Sequence, residues 1–219
     1  VSFGCTLSEE NDSRLEVNAT REGFYGKSRI ESEILTHCLF NGFIPGKYYM
    51  ILVYRWNKVY KRELIDRFVD QLDEKCFQVE DNVFTTLAIL NANSIFVDNR
   101  SFYEYIIRPV SITTRTTDDL IDRYTYSLSV IKSLADNYLS ECNPKQFNFL
   151  AYENYRIALR KIAKNSDYPN AKRAVRKIRE SGFIDCVKFK DIKLLKNYLF
   201  YVLYHCRMNF LLYLCFKLL

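Results

Sequence analysis

Glu80-Asp-Asn-Val-Phe-Thr-Thr-Leu-Ala-Ile-Leu-Asn-Ala-Asn93, followed at once by Ser94-Ile-Phe-Val-Asp98, is the stretch that decides the fold class. Apolar residues at helical spacing predict a helix over about 81–93. Its first residues are acidic, which the unpaired N–H groups and the positive end of a helix favour. Ser94–Asp98 and Phe102–Ile107 then read as two strands around a turn at Asn99-Arg100. A helix set between strand-forming runs predicts an α/β arrangement.

Upstream, Val1-Ser-Phe-Gly-Cys5 reads as a buried strand entering without its turn, which suggests truncation. Residues 28–41 carry Ile30, Ile34, Leu35, Cys38 and Leu39 at helical spacing, and Gly42 with Pro45-Gly46 ends that run. Tyr48–Tyr54 is a short strand-forming run, and a helix is expected over 62–69 with a loop over 70–79. Downstream of Ser111 the pattern turns helical: 118–139, 145–164, 169–181 and a final helix over about 190–219. The expected division is therefore a mixed α/β part, 1–113, and an all-helical extension, 114–219.

Composition narrows the function classes. In 219 residues, hydrophobic residues make up 48% and charged ones 26%, so the chain can fold. Only 6 Gly and 4 Pro occur, against 16% aromatics, which disfavours a turn-rich β-sandwich. Seven cysteines, odd in number and without a CxxC pair, read as reduced thiols in the cytoplasm rather than as zinc ligands or disulfides. His37 and His205 are the only histidines, too few for a His-rich metal site. Asn11-Asp-Ser, Asn18-Ala-Thr and Asn99-Arg-Ser match the glycosylation pattern, which is common by chance.

The formal charge of +6 suits an anionic partner. Residues 156–179 hold nine Lys or Arg against one Asp. This zone reads as a solvated helix face or as a contact for anionic lipid headgroups; no nucleic-acid motif accompanies it. The tail Tyr198–Leu219 is very apolar. On one long helix Lys193, Lys196, Asn197 and Arg207 share a side, which favours a helix lying on a membrane over one spanning it.

Three segments carry chemistry: Trp56-Asn-Lys-Val-Tyr-Lys-Arg-Glu63, then Glu80-Asp81, then Tyr103, Tyr105, Arg108 and Ser111. Singly each has a bland reading: a packed tryptophan with a solvated lysine, a helix cap, and core tyrosines with a structural ion pair. In order and spacing they resemble bacterial family 2 glycosyltransferases, where "WNK-(L/V)-(Y/F)-(K/R)-R-E" precedes "(G)ED" and a strand pair ending "Y-x-Y-x-x-R-x-x-S". The resemblance covers 45–113 well and 1–44 loosely.

That resemblance implies a partial GT-A-like mixed sheet with flanking helices. It also implies inverting, hexosyltransferase-like transfer of a sugar from a nucleotide-sugar donor to a saccharide or lipid-linked acceptor hydroxyl. Surface polysaccharide synthesis at the cytoplasmic, inner face of the cell membrane is the setting it implies. Asp81 falls on the family's general base. Glu80, Trp56, Asn57, Lys58 and Arg108 are the implied acceptor-side contacts: a ring face from Trp56, a phosphate or acceptor contact from Lys58, and charge neutralisation of a leaving group or lipid diphosphate by Arg108. There are two departures. No Asp-x-Asp occurs, so the divalent cation (Mg or Mn) and the donor would be held by a half not present here, and this chain alone is expected to be inactive. Val79 stands where the family often has Gly. The alternative reading is a non-catalytic basic helical module binding membrane or another anionic partner; a third is a relic of a gene that lost its 5′ half.

Overall fold

The computed structural model describes residues 1–9, 12–39, 49–76, 79–107, 117–138, 145–192 and 195–218. It is an α/β protein, 59% helical. Strands β1 (Ser2–Glu9), β2 (Asp12–Glu16) and β3 (Gly23–Gly26) come first, then α1 (Lys27–Arg29), which runs on through irregular helical turns to His37. A short α2 (Arg62–Ile65) precedes α3 (Glu80–Asn91) and β4 (Ser94–Ile106). Helices α4 (Leu120–Tyr138), α5 (Lys145–Asn165), α6 (Tyr168–Ser181), α7 (Leu195–His205) and α8 (Asn209–Leu218) follow.

The sheet order is β2-β1-β4-β3. β1 runs antiparallel to β2 and parallel to β4, and β3 closes the other edge antiparallel to β4. The expected strand pair around Asn99-Arg100 is one strand with an irregularity. Phe3 pairs with Asp98 but Gly4 with Ser101, so Asn99 and Arg100 bulge out of register. Asn99 uses the bulge to turn inward: its Oδ1 accepts from the backbone N–H (3.0 Å) and Nδ2 (2.9 Å) of Asn18. Gly4 is required opposite it, since a Cβ there would meet the Asn99 carbonyl oxygen at 2.5 Å. Asn18 is 2% exposed and its amide is consumed in this network, which leaves no room for a glycan in the folded chain. Asn11 lies outside the described residues.

The expected strand over 48–54 is not one. Residues 49–54 run irregularly: the Ala19 and Thr20 N–H groups donate to the Tyr49 and Met50 carbonyls at 3.1 and 3.2 Å, and beyond them side chains stand in for a ladder. The Leu52 N–H donates to Asn18 Oδ1 at 2.9 Å, Thr85 Oγ1 donates to the Val53 carbonyl at 2.7 Å, and Lys58 covers the carbonyls of Leu52 and Tyr54. Backbone groups satisfied in this way have no need of a neighbouring strand.

Most of the helices match their apolar periodicity. α6 has two further sequence-readable ends: the Asp167 carboxylate caps the Asn170 N–H at 3.0 Å, and Gly182 closes the helix at φ 67°. The tail is the exception, being two helices rather than one. Arg207 takes φ 59°, with Arg207 N–H on the Tyr204 carbonyl (3.2 Å) and Met208 N–H on the Leu203 carbonyl (2.9 Å), a Schellman closure. Arg179 of α6 fixes it, donating to the Tyr204 carbonyl at 2.7 Å and to Asn209 Oδ1 at 3.1 Å. The predicted polar side therefore dissolves: Asn197 is 1% exposed and Arg207 sits in the turn. Lys193 lies outside the described residues.

The two sequence-defined parts share one buried core. Val79, Val83 and Leu87 of the α3 region belong to the same apolar cluster as Leu120, Tyr124 and Leu128 of α4 and reach through it to Leu212 of α8. Gln146 of α5 adds a polar tie, accepting from the Leu39 N–H at 3.1 Å and donating to the Thr36 carbonyl at 2.5 Å.

Candidate functional site

Asp81 and Glu80 occupy the first turn of α3, where the exposed N–H groups of the helix favour carboxylates. Arg55 reaches them from the tight turn Arg55–Asn57. Its Nε donates to Asp81 Oδ1, and its second guanidinium nitrogen lies 3.9 Å from Glu80 Oε1. The Asp81 side chain is 28% exposed and, among the described residues, its Oδ2 accepts no hydrogen bond. Glu80 shares Arg55 with Asp81 but differs in its second oxygen. Its Oε2 is buried without a hydrogen-bond partner among the described residues, and its charge adds to the burial that already raises the Tyr124 hydroxyl. The two carboxylates therefore share one guanidinium and differ in the surroundings of their second oxygens.

The turn beneath Arg55 is built by the neighbouring side chains. Asn57, fully buried, donates to the Phe3 carbonyl at 2.6 Å and so ties the turn to β1. Lys58 Nζ donates to the Leu52 carbonyl, to the Tyr54 carbonyl at 2.7 Å and to Asn57 Oδ1 at 2.7 Å. Burial pulls its pKa down to about 7, against the attraction of Asp81. An ammonium with three acceptors in place has no donor left for a phosphate, so Lys58 holds the turn rather than a ligand. Trp56 is likewise occupied. The rings of Tyr54, Tyr103 and Tyr105 lie 4.8, 4.6 and 5.2 Å from it, those of Tyr54 and Tyr105 within 13° of parallel. Such stacking uses up most of the indole surface that a sugar would need. The outermost ring is Tyr103, 42% exposed. Arg108, with Ser111–Thr113, lies outside the described residues.

The three sequence-separated segments thus meet. Arg55 joins 55–58 to the head of α3, and Trp56 joins it to Tyr103 and Tyr105 on β4. Arg55 was not among the residues singled out by sequence. Its only signal is its place one residue before the tryptophan, and ion-pair geometry across 26 residues leaves no periodic trace. Chemically the arrangement offers one carboxylate oxygen fixed by a guanidinium and the other open, on a turn whose next residue carries the aromatic stack. A second feature lies further along α3. A cavity of about 520 Å³ runs past Thr85, Ala88 and Ala92 to Phe24 and Phe96, with Lys58 and Tyr60 on its wall. This is within the size range of small-molecule pockets. Neither Asp81 nor Trp56 lines it. No cluster of three or more His, Cys, Asp or Glu suited to a metal ion occurs among the described residues.

No family model, curated protein or solved structure matches the chain.

Proposed function

We propose that this chain is the acceptor-side part of an inverting family 2 glycosyltransferase of GT-A type, with Asp81 as the general base. The observation that supports this reading is that the turn 55–58 links the other two motif segments, Arg55 bonding Asp81 at the head of α3 and Trp56 stacking on Tyr103 and Tyr105 of β4. An acceptor hydroxyl placed on Asp81 Oδ2 gives up its proton as its oxygen bonds to the anomeric carbon of the donor sugar. The bond from that carbon to the nucleoside diphosphate breaks, and the diphosphate leaves with the electron pair. Base assistance of this kind is worth about 10²–10⁴-fold. Arg55 is a positioning residue, fixing Oδ1 so that Oδ2 faces the acceptor. Lys58 and Asn57 set the turn that carries Arg55, and Tyr103 is the ring left to meet a saccharide or lipid-linked acceptor. A divalent cation offsets charge on the departing diphosphate when bound; its ligands and the nucleotide site belong to a donor-side part that this sequence does not supply.

The test uses the full-length protein that carries this sequence, assayed against a panel of nucleotide sugars. Asp81→Asn keeps the shape and removes the base, and is expected to slow transfer by about 10²–10⁴-fold with donor binding unchanged. Transfer at the parental rate in a folded Asp81→Asn protein removes the reading.

A further inference from the structure

Helices α7 and α8 lay their buried residues against α5. Phe200 and Leu203 of α7 and Leu212 and Phe216 of α8 are all buried, and the Tyr152 hydroxyl of α5 donates to the Asn197 carbonyl at 2.6 Å. The two helices also pack on each other, with the Phe200 and Phe216 rings 5.9 Å apart, and each leaves the side opposite its buried residues exposed. On an ordinary surface helix that face is polar. Here it carries Leu199 and Val202, each 40% exposed, and Phe210, Leu211 and Leu218, 52%, 43% and 83% exposed. Phe189, 53% exposed, extends it by packing edge-on against Tyr198 at 4.8 Å.

Cations border this face. Lys188 and Lys190, both exposed, flank Phe189. Arg207 is exposed in the hairpin turn, and Lys217 reaches across to the carbonyls of Lys164 and Ser166 at 3.2 and 3.3 Å. They belong to a wider segregation. Residues 145–219 hold sixteen Lys or Arg against five Asp or Glu, a net +11, while residues 1–144 hold sixteen against twenty-one, a net −5. Much of the basic zone on α5 and α6 is engaged internally: Arg156 with Glu153, Lys177 with Asp122, Arg179 with the α7–α8 turn. The cations at the edge of the apolar face remain exposed.

We propose that the α7–α8 hairpin docks flat on an anionic phospholipid surface. Its outward apolar side chains enter the boundary between headgroups and acyl chains, and the bordering cations meet lipid phosphates. Spanning is ruled out for these helices. No described helix is long and apolar enough to cross a membrane, and α7, at 11 residues, covers about half of the roughly 30 Å hydrocarbon core. A second copy fits this face less well, because pairing would bring two strongly cationic segments together.

The test is sedimentation of the full chain with phosphatidylcholine vesicles and with vesicles containing about one-third phosphatidylglycerol. The chain is expected to pellet with the anionic vesicles, weakly with the neutral ones, and to be released in about 1 M salt, where screening acts within about 3 Å. Leu199→Asp with Leu211→Asp is expected to lower the bound fraction at least tenfold with the melting temperature unchanged, both side chains being exposed. If that variant melts early, Lys188→Glu with Lys190→Glu carries the same expectation. Equal pelleting with neutral vesicles, no pelleting with anionic ones, pelleting undiminished in the folded variants, or a dimer that leaves vesicles alone would each overturn the proposal.

Discussion

Replacing Lys58 with Met tests whether the turn that presents Arg55 to Asp81 depends on one buried ammonium. Methionine keeps the length of the side chain and removes all three donors. The carbonyls of Leu52 and Tyr54 and the Asn57 amide oxygen then lose their partner together. Exchanging both sides of a buried polar contact for apolar groups is often neutral, but here only the donor leaves. Each stranded acceptor costs about 1–3 kcal/mol, and relief of the ammonium's own desolvation offsets part of that. A net loss of about 3 kcal/mol follows, or about 6–12 °C in melting temperature for a chain of this size. Urea unfolding measures the first and a thermal melt the second. Trp56 is the only tryptophan, so its emission reports on the turn directly and is expected to shift to the red in the folded variant. The pH dependence fixes the cause. Burial holds the folded Lys58 near 7, while the unfolded amine keeps its ordinary 10.5. Between those values the unfolded chain binds more protons, so this group's contribution to stability grows as pH rises from about 7 and is lost as pH falls back through it. The gap between parent and variant therefore widens from pH 7 to pH 9. A variant within about 1 kcal/mol of the parent refutes the assignment of Lys58 to the turn, and a gap that narrows with rising pH refutes burial as the dominant influence on its pKa.

Two further outcomes follow from backbone geometry. Gly4→Ala places a Cβ 2.5 Å from the Asn99 carbonyl oxygen, in a bulge already held by Asn18, and is expected to destabilise the fold by about 1–3 kcal/mol in urea unfolding; a neutral result would mean that the bulge moves freely. Arg207→Gly relieves a left-handed backbone that costs a side-chain-bearing residue about 1–2 kcal/mol, so the melting temperature is expected to rise by about 2–8 °C; a fall would show that the Arg207 side chain itself holds the turn.

What the sequence revealed and what it hid separate along physical lines. Helices α3 to α6 follow from apolar spacing and, for α6, from local capping, because those signals lie within a few residues of one another. The irregular run 49–54 was read as a strand because its composition suits one. What replaces the ladder there is two backbone bonds from Ala19 and Thr20 and then three side chains from distant points, Asn18, Thr85 and Lys58, and no window of sequence shows that. The bulge at Asn99 looked like a turn for the same reason: Asn-Arg is turn-like locally, and the partner that holds it in one strand is Asn18. The tail break carries neither Gly nor Pro. It exists because Arg179 satisfies the carbonyl of Tyr204 and the side chain of Asn209 across the α6 packing. At the candidate site, residue type was legible and residue role only in part. Trp56 and Lys58 lie on the same tight turn as Arg55, which bonds Asp81. Their ring and ammonium, however, are spent on Tyr54, Tyr103, Tyr105 and the turn carbonyls.

The placement of α3 explains how a half-exposed carboxylate can sit on a firm support. For Asp81 to serve as the base proposed above, it must hold its position to within a fraction of an ångström, yet keep one oxygen open. Along α3, Val83, Leu87 and Ala88 are sunk in the common core with α4, so the helix as a whole is anchored well below its first turn. At the turn itself the two carboxylates divide the work. Asp81 takes the short bond from Arg55, while Glu80 lies at the edge of that guanidinium's reach with its second oxygen buried. The helical part is therefore structurally coupled to the carboxylate and does more than extend the sheet. It packs the underside of the helix that carries Asp81, and it does so through a core whose far end is the hairpin of α7 and α8.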